Sequence, residues 1–371
     1  MSKLKALVVD DTIIYRKILT QAVEDTGLCH VEKTAPNGVL ALEWLKQKSF
    51  DVVLLDVFMP ELDGIETLKR IKKDYPSTAV IMISGDGNES VQNTVKALEL
   101  GAMEFIMKPS GSDQDKNMQS ITRTLKILFA QIQIHKYEYV SDKKKTKPEA
   151  GKRAKQSIDV SPVKPARIPI RKVENFGTPD LILIASSTGG PIALEKIFTK
   201  IQQPINKPVL VVQHMPRHFT KVLAESLKNK SGLNIVEAQD QQEVKSKEIV
   251  IAAGGLHMIT VSENNKKILR LLDTPMVNGV RPAADVLFKT ISEEYKGQRI
   301  LVVVLTGMGN DGMRGIQQLK KSCNVHCISQ SEESCVVYGM PRSVEEAGLS
   351  DEVLHLDDIA QQVLKITGSG R

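Results

Sequence analysis

Asp10 and Asp11 close the apolar run Leu4–Val9, Asp56 closes Val52–Leu55, and Lys108 follows Phe105-Ile106-Met107. Runs of this length and β-branched content read as strands buried on both faces of a parallel sheet. Their charged ends then fall at the carboxyl edge, where doubly wound sheets place ligands. Three crowded carboxylates repel one another unless a hard cation such as Mg2+ joins them, and that cation also neutralises an incoming phosphoryl group. Asp56 directly follows its strand and precedes Val57-Phe58-Met59-Pro60, which makes it the natural nucleophile. Lys108 can supply a point charge to the phosphoryl oxygens.

The C-terminal half carries a second reactive set. Leu181–Ala185 runs into Ser186-Ser187-Thr188-Gly189-Gly190, and Pro208–Val212 into Gln213-His214-Met215-Pro216. Ile300–Leu305 runs into Thr306-Gly307-Met308-Gly309-Asn310-Asp311-Gly312. A hydroxyl, an imidazole and a carboxylate thus reach one edge of one parallel sheet. Nucleophilic acyl transfer needs those three: a serine at its ordinary pKa must lose its proton to an imidazole, whose tautomer a carboxylate holds. Small residues before the helix near Pro191 permit a sharp turn that exposes a hydroxyl near a helix amino end. The segment is not the G-x-S-x-G elbow of α/β hydrolases.

The elements that must position these residues alternate. Strands are predicted near 4–9, 29–34, 51–55, 79–84 and 103–107, with helices over 12–25, 37–47, 64–73, 90–100 and about 113–137. That order predicts a doubly wound, five-stranded parallel domain over residues 1–140. A second α/β domain with a mostly parallel sheet is predicted over 179–371. At 371 residues the chain has room for two or three domains, and 41% hydrophobic with 25% charged residues is the composition of a globular protein. No apolar stretch approaches the roughly 20 residues needed to span a bilayer, so no membrane insertion is expected. The first strand begins almost at the N-terminus, leaving no room for a signal peptide. Cys29, Cys323, Cys327 and Cys335 show no disulfide framework, and a cytoplasmic location is the simpler inference. Cys323, His326 and Cys327 lie in a short apolar run and read as buried packing rather than metal ligands.

The formal charge of +6 is unevenly placed. Residues 141–172 hold eight Lys and three Arg against three acids, a net of +8 that leaves −2 for the rest. Residues 141–172 have four Pro, no aromatics and no periodic apolar face, and a flexible basic linker is expected over 141–178. Tethering to an acidic membrane or nucleic acid is the weaker alternative.

Residues 1 to about 125 resemble the receiver domain of two-component response regulators. The resemblance implies Mg2+ held by Asp10, Asp11, Asp56 and the backbone carbonyl of Phe58, and phosphorylation of Asp56 by a partner histidine kinase. It also implies Ser84 and Phe105 as the hydroxyl and aromatic that respond. Phe58 stands where a polar residue is common in that family. The segments LILIASSTGGP, VVQHMPRHFT, LTGMGNDGM and ESCVVYGMPR closely resemble the catalytic domain of chemotaxis protein-glutamate methylesterases. The receiver-linker-esterase order matches that family from end to end.

This second resemblance implies Ser187 as nucleophile, His214 as general base and acid, and Asp311 as the orienting carboxylate. Where the family usually has Gly-Ala-Ser, this chain has Ala185-Ser186-Ser187, and alignment on Thr-Gly-Gly selects the second serine. Backbone N–H groups around Met308 and Thr188 are the oxyanion candidates. Arg281, in an Arg-Pro segment resembling one that borders the family's cleft, is a candidate for substrate positioning. His218 reads as a surface residue inside the helix after Pro216, and His257 as structural. The implied activity is demethylation of glutamate methyl esters on chemoreceptor cytoplasmic helices, with deamidation of particular glutamines and no metal in the esterase site. In the family the unphosphorylated receiver covers the esterase cleft. Two rivals stand beside this reading: an inert phosphorylation-dependent receptor-binding module, and a DNA-binding regulator. The −2 charge outside the linker and the lack of a helix-turn-helix pattern argue against nucleic acid.

Overall fold

The computed structural model describes residues 2–85, 87–108, 114–145 and 176–368. Five strands, β1 (Leu4–Val9), β2 (Cys29–Ala35), β3 (Val52–Asp56), β4 (Ala79–Ser84) and β5 (Glu104–Met107), pair in parallel in the order β2-β1-β3-β4-β5. The chain reverses direction across the sheet between β1 and β3. Asp10 and Asp56 therefore flank the crevice at the topological switch point. Helices α1 (Ile13–Asp25) and α5 (Gln114–Lys145) pack together on one face. Helices α2 (Gly38–Gln47), α3 (Gly64–Asp74) and α4 (Asn88–Glu99) cover the other. Asn37 and Asp63 cap α2 and α3 by accepting from the N–H groups of Leu40 and Glu66.

The expected linker is shorter at both ends. Helix α5 continues to Lys145 because Ser141-Asp142-Lys143-Lys144-Lys145 contains no helix breaker and places lysines at the helix C-terminus. At the other end Phe176 is buried and its ring lies 5.3 Å from that of His326, so packing against β13 already includes residue 176. Residues 146–175, the remainder of the expected linker, lie outside the described residues.

The second domain holds β6 (Leu181–Ser186), β7 (Val209–Gln213), β8 (Ile235–Glu237), β9 (Ile249–Ile251), β10 (His257–Glu263), β11 (Lys266–Leu272), β12 (Arg299–Val304), β13 (Asn324–Gln330) and β14 (Glu352–Leu354). Seven of these form a parallel sheet ordered β14-β13-β12-β6-β7-β9-β8, while β10 and β11 make an antiparallel hairpin. The helices are α6 (Gly190–Lys200), α7 (Phe219–Ser231), α8 (Ala284–Glu294), α9 (Met313–Ser322), α10 (Met340–Glu346) and α11 (Leu356–Thr367). From β6 the chain builds first toward β7 and later returns to β12 on the other side. The switch point of this sheet lies between β6 and β12, whose strands deliver Ser187 and Asp311. Cys323 caps the end of α9, and His326 and Cys327 are buried in β13, with His326 bonded to Glu352 at 2.7 Å.

Helix α3 must start close against the end of β3. A Cβ on Gly64 would fall 2.0 Å from the Asp56 carbonyl oxygen. Gly64→Ala is expected to destabilise the receiver by about 1–3 kcal/mol, measured by chemical denaturation.

Candidate active site and phosphoacceptor pocket

In the receiver, one oxygen from each of Asp10, Asp11 and Asp56 lies within 4.8 Å of the others. Lys108 Nζ reaches Asp56 Oδ2 at 2.8 Å and Asp10 Oδ2 at 2.9 Å, and sits 4.7 Å from the Tyr15 ring centre. Burial pushes the Asp56 carboxyl up to about 6 against the opposing pull of Lys108, with Asp10 and Asp11 adding to the rise. A cluster this reluctant to hold all its charges, built from hard oxygen donors, fits a divalent cation. Ser84 Oγ is buried and bonded to Ser90 Oγ at 2.8 Å and Thr94 Oγ1 at 2.6 Å, tying the end of β4 to α4. The Phe105 ring stacks on Phe219 of α7, with centroids 4.8 Å apart and planes 7° from parallel. The Phe58 side chain is exposed.

In the second domain, His214 Nε2 lies 2.8 Å from Asp311 Oδ2. Asp311 is 2% exposed and also accepts from Ala284 N–H, Asp285 N–H and Asn278 Nδ2. Burial alone would raise its pKa, yet the His214 contact and the remaining donors outweigh it and hold the carboxyl below the usual range. An ionised carboxylate only accepts, so Nε2 carries the imidazole proton. The other nitrogen, Nδ1, is buried with no hydrogen-bond partner among the described residues.

The two serines separate cleanly. Ser186 is fully buried and donates to Gln213 Oε1 at 2.6 Å. Ser187 is half-buried, its N–H donates to Thr306 O at 3.0 Å, and its carbonyl accepts from Gln213 Nε2 at 2.9 Å. Gln213 thus fixes the turn and takes up the Ser186 hydroxyl, leaving Ser187 the more exposed of the two serines. The Ser187 and Gly307 N–H groups are taken up by Thr306 O and Val337 O. Those of Thr188 and Met308 have no backbone acceptor among the described residues. His218 lies one residue before α7, at φ 74°, rather than inside it as the apolar spacing suggested: the chain turns left-handed there before the helix starts. His257 is buried and its Nε2 donates to Pro275 O at 3.0 Å. Arg281 Nη1 donates to the Asp273 carboxylate and, at 2.7 Å, to Thr274 O, which ties it to its own loop.

The receiver packs across this edge. Met308, Val336 and Val337 join the apolar cluster of Ile106 and Ile121, while Val91 and Val95 of α4 share a cluster with Phe219 and Leu223 of α7. Lys230 Nζ bridges Glu99 and Glu195 at 2.9 Å each, and Glu99 also bonds Ser226. Burial raises the Glu104 carboxyl, which lies against the Thr188 side chain. Gln213, Asn278, Asp285, Phe219 and Lys230 were not singled out in the sequence. Only the adjacent Asn278-Gly279 pair carried a local signal, that of a tight turn.

Residues 182–363 match the CheB methylesterase family and residues 6–120 match the response regulator receiver domain. A protein-glutamate methylesterase/protein-glutamine glutaminase from Desulfotalea psychrophila is 36% identical over 366 residues, covering 98% of each chain. The chain belongs to the CheB methylesterase family. A relative of the same name from Symbiobacterium thermophilum is 36% identical over 375 residues, covering 99% of this chain and 98% of that one. The Thermotoga maritima CheB methylesterase catalytic domain shares 38% identity over 51% of this chain and 99% of that structure, with a TM-score of 0.49. Both halves of a CheB methylesterase, receiver and esterase, are present in the order expected.

Ser187→Ala is expected to lower esterase activity by about 10^4-fold or more, while Ser186→Ala keeps most activity and loses about 1–3 kcal/mol of stability. Asp311→Asn should cost about 10^4 in kcat through the wrong imidazole tautomer. Its effect on stability depends on pH. The folded pKa lies below the unfolded one, so the ionised carboxylate stabilises the fold above the ordinary carboxylate range, and that contribution is lost as pH falls through the depressed value. Thermal unfolding of Asp311→Asn should therefore lie below the parent at pH 7 and converge on it in strong acid.

Proposed function

We propose that this chain is a phosphorylation-regulated protein-glutamate methylesterase and protein-glutamine glutaminase acting on chemoreceptors in the cytoplasm. The observation that carries the esterase reading is the buried His214–Asp311 pair, with a free imidazole nitrogen, at the same strand edge as half-buried Ser187. Ser187 Oγ attacks the γ-carbonyl carbon of a glutamate methyl ester as His214 Nδ1 takes its proton. The tetrahedral oxyanion is received by the N–H groups of Met308 and Thr188. Collapse breaks the bond to methoxide, which leaves as methanol with the proton from His214. Water, deprotonated by His214, then attacks the acyl-enzyme, freeing glutamate and returning the proton to Ser187. A glutamine follows the same course with ammonia as the leaving group. Arg281, braced by Asp273, borders the loop over Asp311 and supplies positive charge toward an acidic receptor segment.

Asp56 is the proposed phosphoacceptor for a chemotaxis histidine kinase, with Asp10, Asp11 and the Phe58 carbonyl as the remaining Mg2+ ligands. When bound, Mg2+ neutralises charge on the transferring phosphoryl group. Lys108 holds a fixed positive charge on the same oxygens, and Ser84 leaves its contacts with α4 to meet the phosphoryl group. A phosphoryl group adds about −1.5 to −2 of charge. Because α4, β5 and Phe105 form the contact with α7, repacking them loosens the receiver from the esterase edge. This supports gating by removal of the receiver.

Methanol release from methylated receptor membranes, with and without Mg2+ and a small phosphodonor, tests the whole reading. Release that depends on Ser187 and rises with phosphodonor supports it; none from a matched receptor would overturn it. Asp56→Asn should abolish the phosphodonor effect and keep the basal rate. Lys230→Ala removes the bridge to Glu99 and is expected to raise the unphosphorylated rate about two- to fivefold, the weight of about 0.5–1 kcal/mol.

A further inference from the structure

The loop between β11 and α8 turns back on itself at Asn278-Gly279. Val277 and Val280 exchange both backbone hydrogen bonds, at 3.2 and 3.0 Å, and φ is 55° at Asn278 and 76° at Gly279. Positive φ at both central positions is what a type I′ turn requires, and Asn-Gly is the pair that accepts it most readily. The turn explains the residue types but not where the amide is aimed. Asn278 Nδ2 donates to Asp311 Oδ1 at 2.9 Å and to Asp285 Oδ2 at 2.8 Å. Asp285, in the first turn of α8, accepts at its other oxygen from the N–H groups of Gly312 at 3.0 Å and Gly315 at 2.7 Å. Two half- to fully buried carboxylates therefore approach each other with one neutral donor between them. Buried His257 holds the same loop through Pro275 O, and Arg281 braces it through Asp273 and Thr274 O.

We infer that Asn278 is a positioning residue for the esterase reaction: its amide bridges Asp311 and Asp285, so that Asp311 keeps Oδ2 toward His214 while its own charge is shielded from its neighbour. The inference rests on the assignment of Ser187, His214 and Asp311 as the triad. Asn278 touches no reacting atom and acts through the carboxylate. Without the amide, Asp311 Oδ1 loses a charge-assisted donor and faces Asp285 directly. The N–H groups of Ala284 and Asp285 still hold the carboxylate, but the repulsion between the two acids turns Oδ2 from its alignment and the imidazole loses its fixed orientation.

The test uses variants that the turn accepts, because Asp-Gly and Gly-Gly suit a type I′ turn as Asn-Gly does. Asn278→Gly removes the donor alone, and Asn278→Asp keeps the shape but sets a third carboxylate beside the other two. In the full chain, with Mg2+ and a small phosphodonor, methanol release from methylated receptor membranes is measured beside Ser187→Ala. Asn278→Gly is expected to lower kcat about ten- to a hundredfold with KM within about twofold, and Asn278→Asp to lower it further. In the proton NMR spectrum the downfield His214 Nε2–H resonance should shift in Asn278→Gly. Both variants within about threefold of the parent in kcat, or a loss confined to KM, would overturn the inference and leave Asn278 as a turn residue. If Ser187→Ala is inactive and the Asn278 variants match the parent, only this inference falls. If Ser187→Ala stays active, the triad falls and the inference with it.

Discussion

A carboxylate that must remain ionised while nearly excluded from water organises the catalytic half of the molecule. Asp311 would be costly to bury unpaired, because a charge removed from water regains its solvation only from donors already in place. Its donors come from three places in the chain: the loop after β7, the turn before α8 and the first N–H groups of α8 itself. Those helix N–H groups have no partner within the helix, so Asp311 caps α8 from another strand's loop while α8 supplies positive potential to Asp311. The requirement for donors and the requirement for a cap are met by one contact. It follows that β12, α8 and the loop after β7 cannot be placed independently of one another.

The receiver uses a related arrangement with the opposite balance. Asp10, Asp11 and Asp56 are brought together at a strand edge with one lysine among them, and burial raises Asp56 instead of being overcome. A site left short of positive charge is suited to gaining it from solution, whereas Asp311 is furnished with fixed donors from the protein itself. Both sites lie at the point where their sheet reverses strand order, since only there do two neighbouring strand ends leave an open crevice.

Much of this was legible in the chain. Apolar runs ending in Asp10, Asp56, Ser187, His214 and Asp311 announce buried parallel strands and name the side chains at their edge, because strand length and polarity are local properties. The choice between Ser186 and Ser187 rested on alignment; a difference the sequence did not show is that Gln213 takes up the Ser186 hydroxyl. The roles of Gln213, Asn278 and Asp285 were not legible, since each depends on a hydrogen bond spanning some 7 to 33 positions in sequence between residue types common in loops. His218 followed the apolar spacing of α7 but sits at a left-handed residue before it, a backbone state that side-chain periodicity does not encode. Helix α5 overran its expected end because lysine-rich polar sequence reads as linker by composition while being compatible with helix by propensity.

The stacking of Phe105 on Phe219 has a thermodynamic side. A ring laid flat on α7 of the esterase is not available to turn into the receiver, so in the proposed switch domain contact and phosphorylation of Asp56 compete for one side chain. Competition of this kind is symmetric: the factor by which phosphorylation weakens the contact is the factor by which the contact weakens phosphorylation. A receptor segment that occupies the esterase edge and displaces the receiver would therefore favour the phosphorylated state of Asp56 without ever touching it. The supply of substrate would then be felt at the input of the switch as well as at its output.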